Sequence, residues 1–465
     1  MPRLLKKKTT PIGHVTYKGR TGLTNKEKAE IIADFYADVC DLDADNVALT
    51  PTQERISNNI SAFRLDKPDK NDDDKDYQRR MQTSPKEIWS IIKKLPSKKA
   101  PGVDEIHNAV IKNLPQKAIL QLYYIINAIS TTNHWPTAFK KVVAIPIPKN
   151  GKNLVDPGNF RPISILTGFS KIAGKVVHAR LAVLEEEINF LPDFQFGFRA
   201  KHDTTLQVAR ITDGITDNFS KDKNTAMALL DIRKAFDRVW FEGLTFKLLK
   251  IGLPSRLVRL LDSYMTGRTL QVRIGTELST ERSVKAGVPQ GSVLGPKLFA
   301  YYLYDMPTFS KTRLALYADD TATYAHSFSA EVANRQVQLH MYQLVRYFGD
   351  WRVELNSEKT ENIIFTRKYT ENKIITKLRV HDKPITEKSQ VKYLGVVLDK
   401  KLNYKTNIDK TLTSANATLP QLYAMMNKKS GLDMTNKLTI YKTILRPIVT
   451  YAAPVWCGIS DTQMT

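Results

Sequence analysis

An apolar run that climbs to two adjacent carboxylates constrains this chain more than any other feature. Residues 314–322 read Leu-Ala-Leu-Tyr-Ala-Asp-Asp-Thr-Ala, ending the run at Asp319 and Asp320. Adjacent like charges at the end of a buried strand repel, so something positive must normally sit beside them. A second buried-looking strand, Thr225 to Leu230, delivers Asp231, 88 positions before Asp319. Three acids on two strand ends are what a magnesium-dependent phosphoryl-transfer site needs, because magnesium takes hard oxygen ligands and keeps several waters. Neighbours in a flat strand point to opposite faces, so a tight turn at 317–320 is required to project the acid pair from the sheet edge.

Charge narrows the partner. Seventy Lys and Arg stand against 47 Asp and Glu, a net charge of +23 over 465 residues. On a non-repetitive chain that excess points to a polyanion, of which nucleic acid is the commonest. A basic surface serving only solubility is the bland alternative. The lysines are spread along the chain rather than gathered on one amphipathic helix, which argues against an anionic membrane surface. No stretch reaches the ~18 consecutive apolar residues of a membrane span, and the start, Met1 to Lys8, lacks the apolar core of a signal peptide. Cys40 and Cys457 are the two cysteines, and the eight histidines are scattered, so neither a disulfide framework nor a zinc site is on offer. A reducing, intracellular compartment is expected.

Periodicity then places these features on elements. Thr24 and Glu27 form a Thr-x-x-Glu signature that predicts a capped helix to about Cys40. Residues 66–80 are almost all charged and read as an exposed linker. Ser84 and Glu87 predict a second capping box, with Pro85 at the first helical position, and Ile88, Ile91, Ile92 and Leu95 share one apolar face. The basic loop 97–102 is either a solvated turn or a phosphate-contacting loop. Further helices are predicted near 105–113, 116–130, 170–188, 203–219, 337–351, 403–427 and 434–452. Strands are predicted at 141–147, 159–165, 225–231, 269–274, 282–286, 363–366 and 391–398. Segregated strands and helices make the fold class α+β, with an antiparallel sheet of the split-βαβ type under helices.

In their order along the chain, 159–166, 195–205, 229–240, 286–296, 316–320, 355–365 and 393–397 resemble the successive blocks of reverse transcriptases. They are most similar to those of non-LTR (LINE-type) retrotransposons of the jockey group, and 445–456 resembles that group's thumb. The resemblance implies a right-hand polymerase with fingers, an antiparallel palm and a helical C-terminal thumb. Residues 1–80 would form an N-terminal helical and basic extension with its charged linker, 81–224 the fingers with the start of the palm, 225–399 the palm, and 400–465 a partial thumb. The reverse transcriptase domain as a whole would cover roughly 130–399. It further implies an RNA-directed DNA polymerase with two magnesium ions (manganese as substitute), a template RNA, a DNA primer and deoxynucleoside triphosphates. The setting would be a cytoplasmic ribonucleoprotein, and the nucleus during integration. No endonuclease domain is visible before Pro101, and no zinc knuckle or ribonuclease H signature follows the thumb-like segment, so a fragment or truncated copy is expected. A catalytically inactive nucleic-acid-binding remnant is the alternative reading.

Carried over residue by residue, the resemblance makes Asp231 and Asp319 metal ligands, with the backbone carbonyl of Ile232 as an extra ligand and Asp320 as the partner acid. Phe236 would close the space beside the sugar 2′ position and select deoxynucleotides; the bland reading makes it plain core. An aromatic there also speaks against a polymerase that makes RNA. Gln290 would lie against the incoming nucleotide and template, and Gly291 would let the backbone approach closely. Lys149 and Arg161 would neutralise the triphosphate, and Lys359 would donate a proton to the leaving pyrophosphate. Tyr393, Leu394 and Gly395 would form the hairpin that grips the primer end.

Overall fold

The computed structural model describes residues 12–43, 48–66, 74–149, 151–367 and 376–456. Its centre is a five-stranded sheet in the order Thr386–Glu387, Glu361–Phe365, Asn224–Leu230, Asp320–Ser327, Arg313–Tyr317. Asn224–Leu230 is antiparallel to both of its neighbours. Its near-continuous apolar run follows from burial on both faces, and the period-two alternation of a strand decides which residue serves which face. Ala226, Ala228 and Leu230 enter the large core. Met227 packs on the other side with Tyr324, Ile363 and Phe365.

Each face has its own cover. Helix Ala330–Asp350 supplies Val337, Met341, Leu344 and Phe348 to the large core, the stripe predicted from their spacing. Helix Thr204–Ser220, capped by Asp203, supplies Val208, Ile211, Ile215 and Phe219 to the opposite face. The hairpin of Gln390–Tyr393 and Val396–Asp399 joins that second layer. The edge strand Arg313–Tyr317 is not left bare. Phe196 N donates to Leu316 O and Leu316 N to Phe194 O, so the 194–197 segment covers the unpaired edge.

A second sheet is built on Lys141–Pro148, which pairs antiparallel with Phe160–Ile165 and parallel with Arg268–Ile274. Arg282–Val284 pairs antiparallel with Arg268–Ile274, the hairpin expected from the alternation. Helix Asn25–Val39 covers this sheet with Ile31, Ile32 and Tyr36 against Ala144, Phe160, Leu270 and Val272. Its predicted capping box is fully formed between Thr24 and Glu27.

The structure departs from the sequence reading in three places. The charged stretch 66–80 is not simply an exposed linker: Asp74–Met81 is a helix that buries Tyr77 and Met81, while 67–73 lie outside the described residues. The Ser84 box is half formed, because Glu87 turns to Arg180 and Thr83 instead of closing back on the cap. The segment 391–398 is not the single strand read from its composition but a hairpin, turning at the residues where the resemblance puts one. An additional helix, Pro51–Leu65, buries Ile56 and Ile60 in the large core. The loop 97–102 leaves Lys98 and Lys99 exposed. After Asp399 the chain is helical at Lys405–Met426 and from Met434 to Thr450, with a π-turn at Tyr441–Leu445. Among the described residues no helix is long and apolar enough to cross a membrane.

Candidate active site

The acid pair sits in the predicted hairpin. Tyr317 pairs with Asp320, leaving Ala318 and Asp319 as a two-residue turn. Ala318 takes a φ of 60°, a region an L side chain enters only when its surroundings over-determine it. One such constraint is Gly197: a methyl built on it would lie 2.1 Å from Ala318 N. Gly197→Ala is therefore expected to cost about 1–3 kcal/mol of overpacking, read as a lower urea midpoint. Gly214, inside helix Thr204–Ser220, has open space around it. Gly214→Ala should stabilise by up to about 1 kcal/mol through helix propensity.

Thr321 pairs with Leu230, so the next residues outward, Asp320 and Asp231, end adjacent strands side by side. A short ladder fixes the exit of Asp231. Asn356 N donates to Asp231 O at 2.8 Å and Arg233 N to Glu354 O at 2.8 Å, around a bridge between Ile232 and Leu355. In this kind of antiparallel pair the bridged residue's own N–H and C=O point away from its partner. The carbonyl of Ile232 is thus turned from Leu355 toward the side on which Asp320–Ser327 lies.

Electrostatics tie the three acids together. Burial, then the charge of Asp231, pushes the Asp319 carboxyl up, while Arg161 pulls it down. Burial, then Asp319 and Asp231, pushes Asp320 up to about 6. Both side chains still meet solvent, so the desolvation comes from protein crowding around an open site. Carboxylate oxygens with unbalanced negative charge, beside the Ile232 carbonyl, fit a hard divalent cation. Among the described residues, no three Asp, Glu, His or Cys side chains already stand as a closed ligand set.

Three cations from two parts of the chain gather nearby. Lys149 follows strand Lys141–Pro148, Arg161 lies in the paired strand Phe160–Ile165, and Lys359 sits in the 356–360 turn. Burial and then the like charges of Lys359 and Arg161 push the Lys149 ammonium down. Lys149 Nζ donates to Gly158 O at 2.9 Å, while Arg161 and Lys359 are exposed. An anion held among these groups would relieve their repulsion.

Phe236 lies in the 3₁₀ turn Ala235–Arg238, half-buried, stacked on Phe299 at 4.5 Å and edge-on to Phe198 at 6.1 Å. One turn away in space, Gln290 Nε2 donates to Asp237 Oδ1 at 2.7 Å. Gly291 has a φ of 123°, and a methyl there would lie 2.6 Å from Ser164 O, so glycine is required. Tyr393, Leu394 and Gly395 lie in the second layer. Leu394 and Gly395 both have positive φ and form a two-residue hairpin turn. Tyr451 OH donates to Leu394 O at 2.8 Å and ties the C-terminal helices to it. Tyr393 is buried within electrostatic reach of Asp320.

The structure therefore brings Asp231, Ile232, Asp319 and Asp320 to one sheet end, and gathers Lys149, Arg161 and Lys359 as a basic group. It links Phe236 to Gln290 through adjacent turns. Sequence reasoning missed Asp237, Gly197 and Tyr451, whose partners are 53, 121 and 57 positions away.

Residues 147–398 match the family described as reverse transcriptase (RNA-dependent DNA polymerase). The chain is 36% identical over 385 residues to a probable RNA-directed DNA polymerase from transposon X-element of Drosophila melanogaster, covering 82% of this chain and 42% of that protein. It is 36% identical over 378 residues to the probable RNA-directed DNA polymerase from transposon BS of the same species, covering 80% and 42%. With the RNA-directed DNA polymerase from mobile element jockey, also of Drosophila melanogaster, it shares 34% over 381 residues, 80% of this chain and 41% of the relative. The chain thus spans about two fifths of the length of these relatives.

Proposed function

The chain belongs to the reverse transcriptase family, and we propose that it is an RNA-directed DNA polymerase of a jockey-type non-LTR retrotransposon, adding deoxynucleotides to a primer 3′ end. The observation that carries this is the meeting of Asp231, Asp319 and Asp320 at one sheet end with Lys149 and Arg161 close by. The central sheet would be the palm, of split-βαβ type, and the helices after Asp399 the thumb. The proposed boundaries are an extension over 1–80, fingers over 81–224, palm over 225–399 and thumb from 400. Residence in a cytoplasmic ribonucleoprotein, with nuclear entry for integration, fits the +23 charge.

Asp231, Asp319 and the carbonyl of Ile232 would hold the divalent cations, with magnesium the proposed ion and Asp320 adding negative charge beside them. When bound, such cations stabilise the attacking and leaving oxygens of the displacement. Lys149 and Arg161 would hold the triphosphate by charge-assisted contacts. Lys359 would hand a proton to the leaving pyrophosphate. Gln290 would present its amide to the nucleotide and template, and Gly291 would admit the backbone. Tyr393, Leu394 and Gly395 would hold the primer end, buttressed by Tyr451.

Phe236 would shut the space where a ribose 2′ hydroxyl must go. Its stacking on Phe299 fixes the ring while its partial exposure leaves an edge available. The test is magnesium-dependent extension of a DNA primer on an RNA template with purified protein. Deoxynucleotides should be incorporated and ribonucleotides rejected, and Phe236→Ala should raise ribonucleotide use by about ten-fold or more, the discrimination scale of a one-group steric difference. Template binding without extension would identify an inactive binding remnant instead. Unchanged sugar selectivity in Phe236→Ala would make the ring plain core.

A further inference from the structure

Gln290 sits on a turn whose backbone is clamped from two sides. Val288 N donates to Phe236 O at 2.7 Å and Gly287 N to Val239 O at 2.9 Å. Gly287 has a φ of 94°, and a methyl on it would lie 2.7 Å from Asp237 O, so the two turns are in direct contact. On the far side, Ser164 N donates to Gln290 O at 2.7 Å. These contacts fix where the Gln290 backbone is. They say nothing about which way its side-chain amide faces.

Asp237 supplies that direction. Gln290 Nε2 donates to Asp237 Oδ1 at 2.7 Å, a short bond to a carboxylate. An ionised carboxylate only accepts, so it selects the NH₂ end of the amide and turns Oε1 the other way. We infer that Asp237 is a positioning residue: it orients Gln290 so that the amide carbonyl and its remaining N–H face the nucleotide site. This rests on the proposed role of Gln290 in the polymerase reaction.

A rival role is visible in the same place. Burial pushes the Asp237 carboxyl up, to about 6, with the Gln290 hydrogen bond and then the charges of Lys234 and Lys149 opposing the shift, so the group is still ionised at neutral pH. Asp237 could then be only a counter-charge to these cations. The two roles differ in sign. Removing a counter-charge makes the potential around the triphosphate position more positive and should tighten an anionic triphosphate. Removing an orienting acceptor frees the amide and should weaken nucleotide binding.

The experiment is steady-state primer extension at pH 8 with magnesium, comparing wild type, Asp237→Ala, Gln290→Ala and the double variant. For Asp237→Ala we expect KM for the deoxynucleotide to rise about ten-fold with kcat nearly unchanged, the scale of one charge-assisted hydrogen bond. In the Gln290→Ala background the same change should add nothing. A fall in KM, or an equal rise in both backgrounds, overturns the inference while leaving the role of Gln290 intact. An unchanged KM in Gln290→Ala alone overturns the role of Gln290 and the inference with it. Should Asp237→Ala melt below the assay temperature, Asp237→Glu decides the matter. It keeps the charge beside Lys149 but displaces the acceptor, so a raised KM supports positioning and an unchanged one overturns it.

Discussion

Primer extension by the Asp319→Asn variant is expected to fall by at least about 10³-fold, because a metal ion supplies several kcal/mol of transition-state charge stabilisation at 1.36 kcal/mol per decade. Binding of annealed RNA and DNA should stay near the wild-type value, since Asp319 lies at a turn and carries charge of the same sign as the nucleic acid. Stability supplies a second readout. Asp319 and Asp231 push Asp320 up to about 6 after burial, so removing one charge relieves repulsion. Without magnesium the asparagine variant should therefore melt at or above wild type. Adding magnesium should raise the melting temperature of wild type far more than that of the variant, since an ion stabilises whichever folded state binds it. Extension surviving in the variant, or equal magnesium shifts in both proteins, would remove Asp319 from the proposed ligand set.

How much of this site was legible in the sequence depends on how local each relation is. The acid pair and its hairpin are local: an apolar strand, a two-residue turn and a returning strand occupy consecutive positions, and the structure pairs Tyr317 with Asp320 as that pattern demands. The closeness of Asp231 to the pair follows from register, since Leu230 opposite Thr321 puts the acids side by side. The bond between Asp237 and Gln290 was not legible. It exists because two turns 53 positions apart are pinned together by backbone hydrogen bonds, and neither turn has a hydrophobic period to announce its neighbour. The gathering of Lys149, Arg161 and Lys359 is similar, in that abundant lysines hide the few that converge.

The fold shows the same division. Helix Ala330–Asp350 carries Val337, Met341, Leu344 and Phe348 at helical spacing and is plain from that spacing. Helix Asp74–Met81 reads as linker because its charges swamp the signal of Tyr77 and Met81, which stand four apart and are buried. Helix Pro51–Leu65 buries only Gln53, Ile56 and Ile60, too few for a clear stripe, but its cap was readable. Thr50 and Gln53 form a reciprocal capping box with Pro51 at the first position, the same logic that located helix Asn25–Val39. Capping chemistry outlasts periodicity as a signal here because it depends on four residues rather than on a tertiary partner.

Lys247→Met should destabilise the chain by about 3–5 kcal/mol, out of the roughly 5–15 kcal/mol typical of a folded domain. Lys247 lies in helix Phe241–Ile251 and is fully buried. Its ammonium donates to Tyr302 O, Asp305 Oδ1 and Tyr347 OH, each at 2.6 Å, and stands 3.8 Å from the Trp351 ring centroid. Burial, helped by the like charge of Lys250, pushes this lysine down, to about 7, with Asp305 opposing the shift. Three acceptors at that distance use all three ammonium protons, so the charged form is the one the site is built around. Methionine keeps the length of the stem but removes the ammonium donor from Asp305, the Tyr302 carbonyl and the Tyr347 hydroxyl. Asp305 would retain Tyr347 at 2.9 Å and Lys250 at 3.4 Å, which argues for the lower end of the range. Asp305→Asn in the Lys247→Met background should then cost less than it does alone, the coupling expected of groups in one network. Urea unfolding of the four proteins measures both quantities, and a Lys247→Met midpoint close to wild type would show that the pair holds nothing. The same ammonium joins helix Phe241–Ile251 to Tyr302, at the end of the helix following Gln290, and to the helix beneath the acid-bearing strands. Loss of extension in this variant should therefore track its melting temperature, with nucleotide KM unchanged wherever it remains folded.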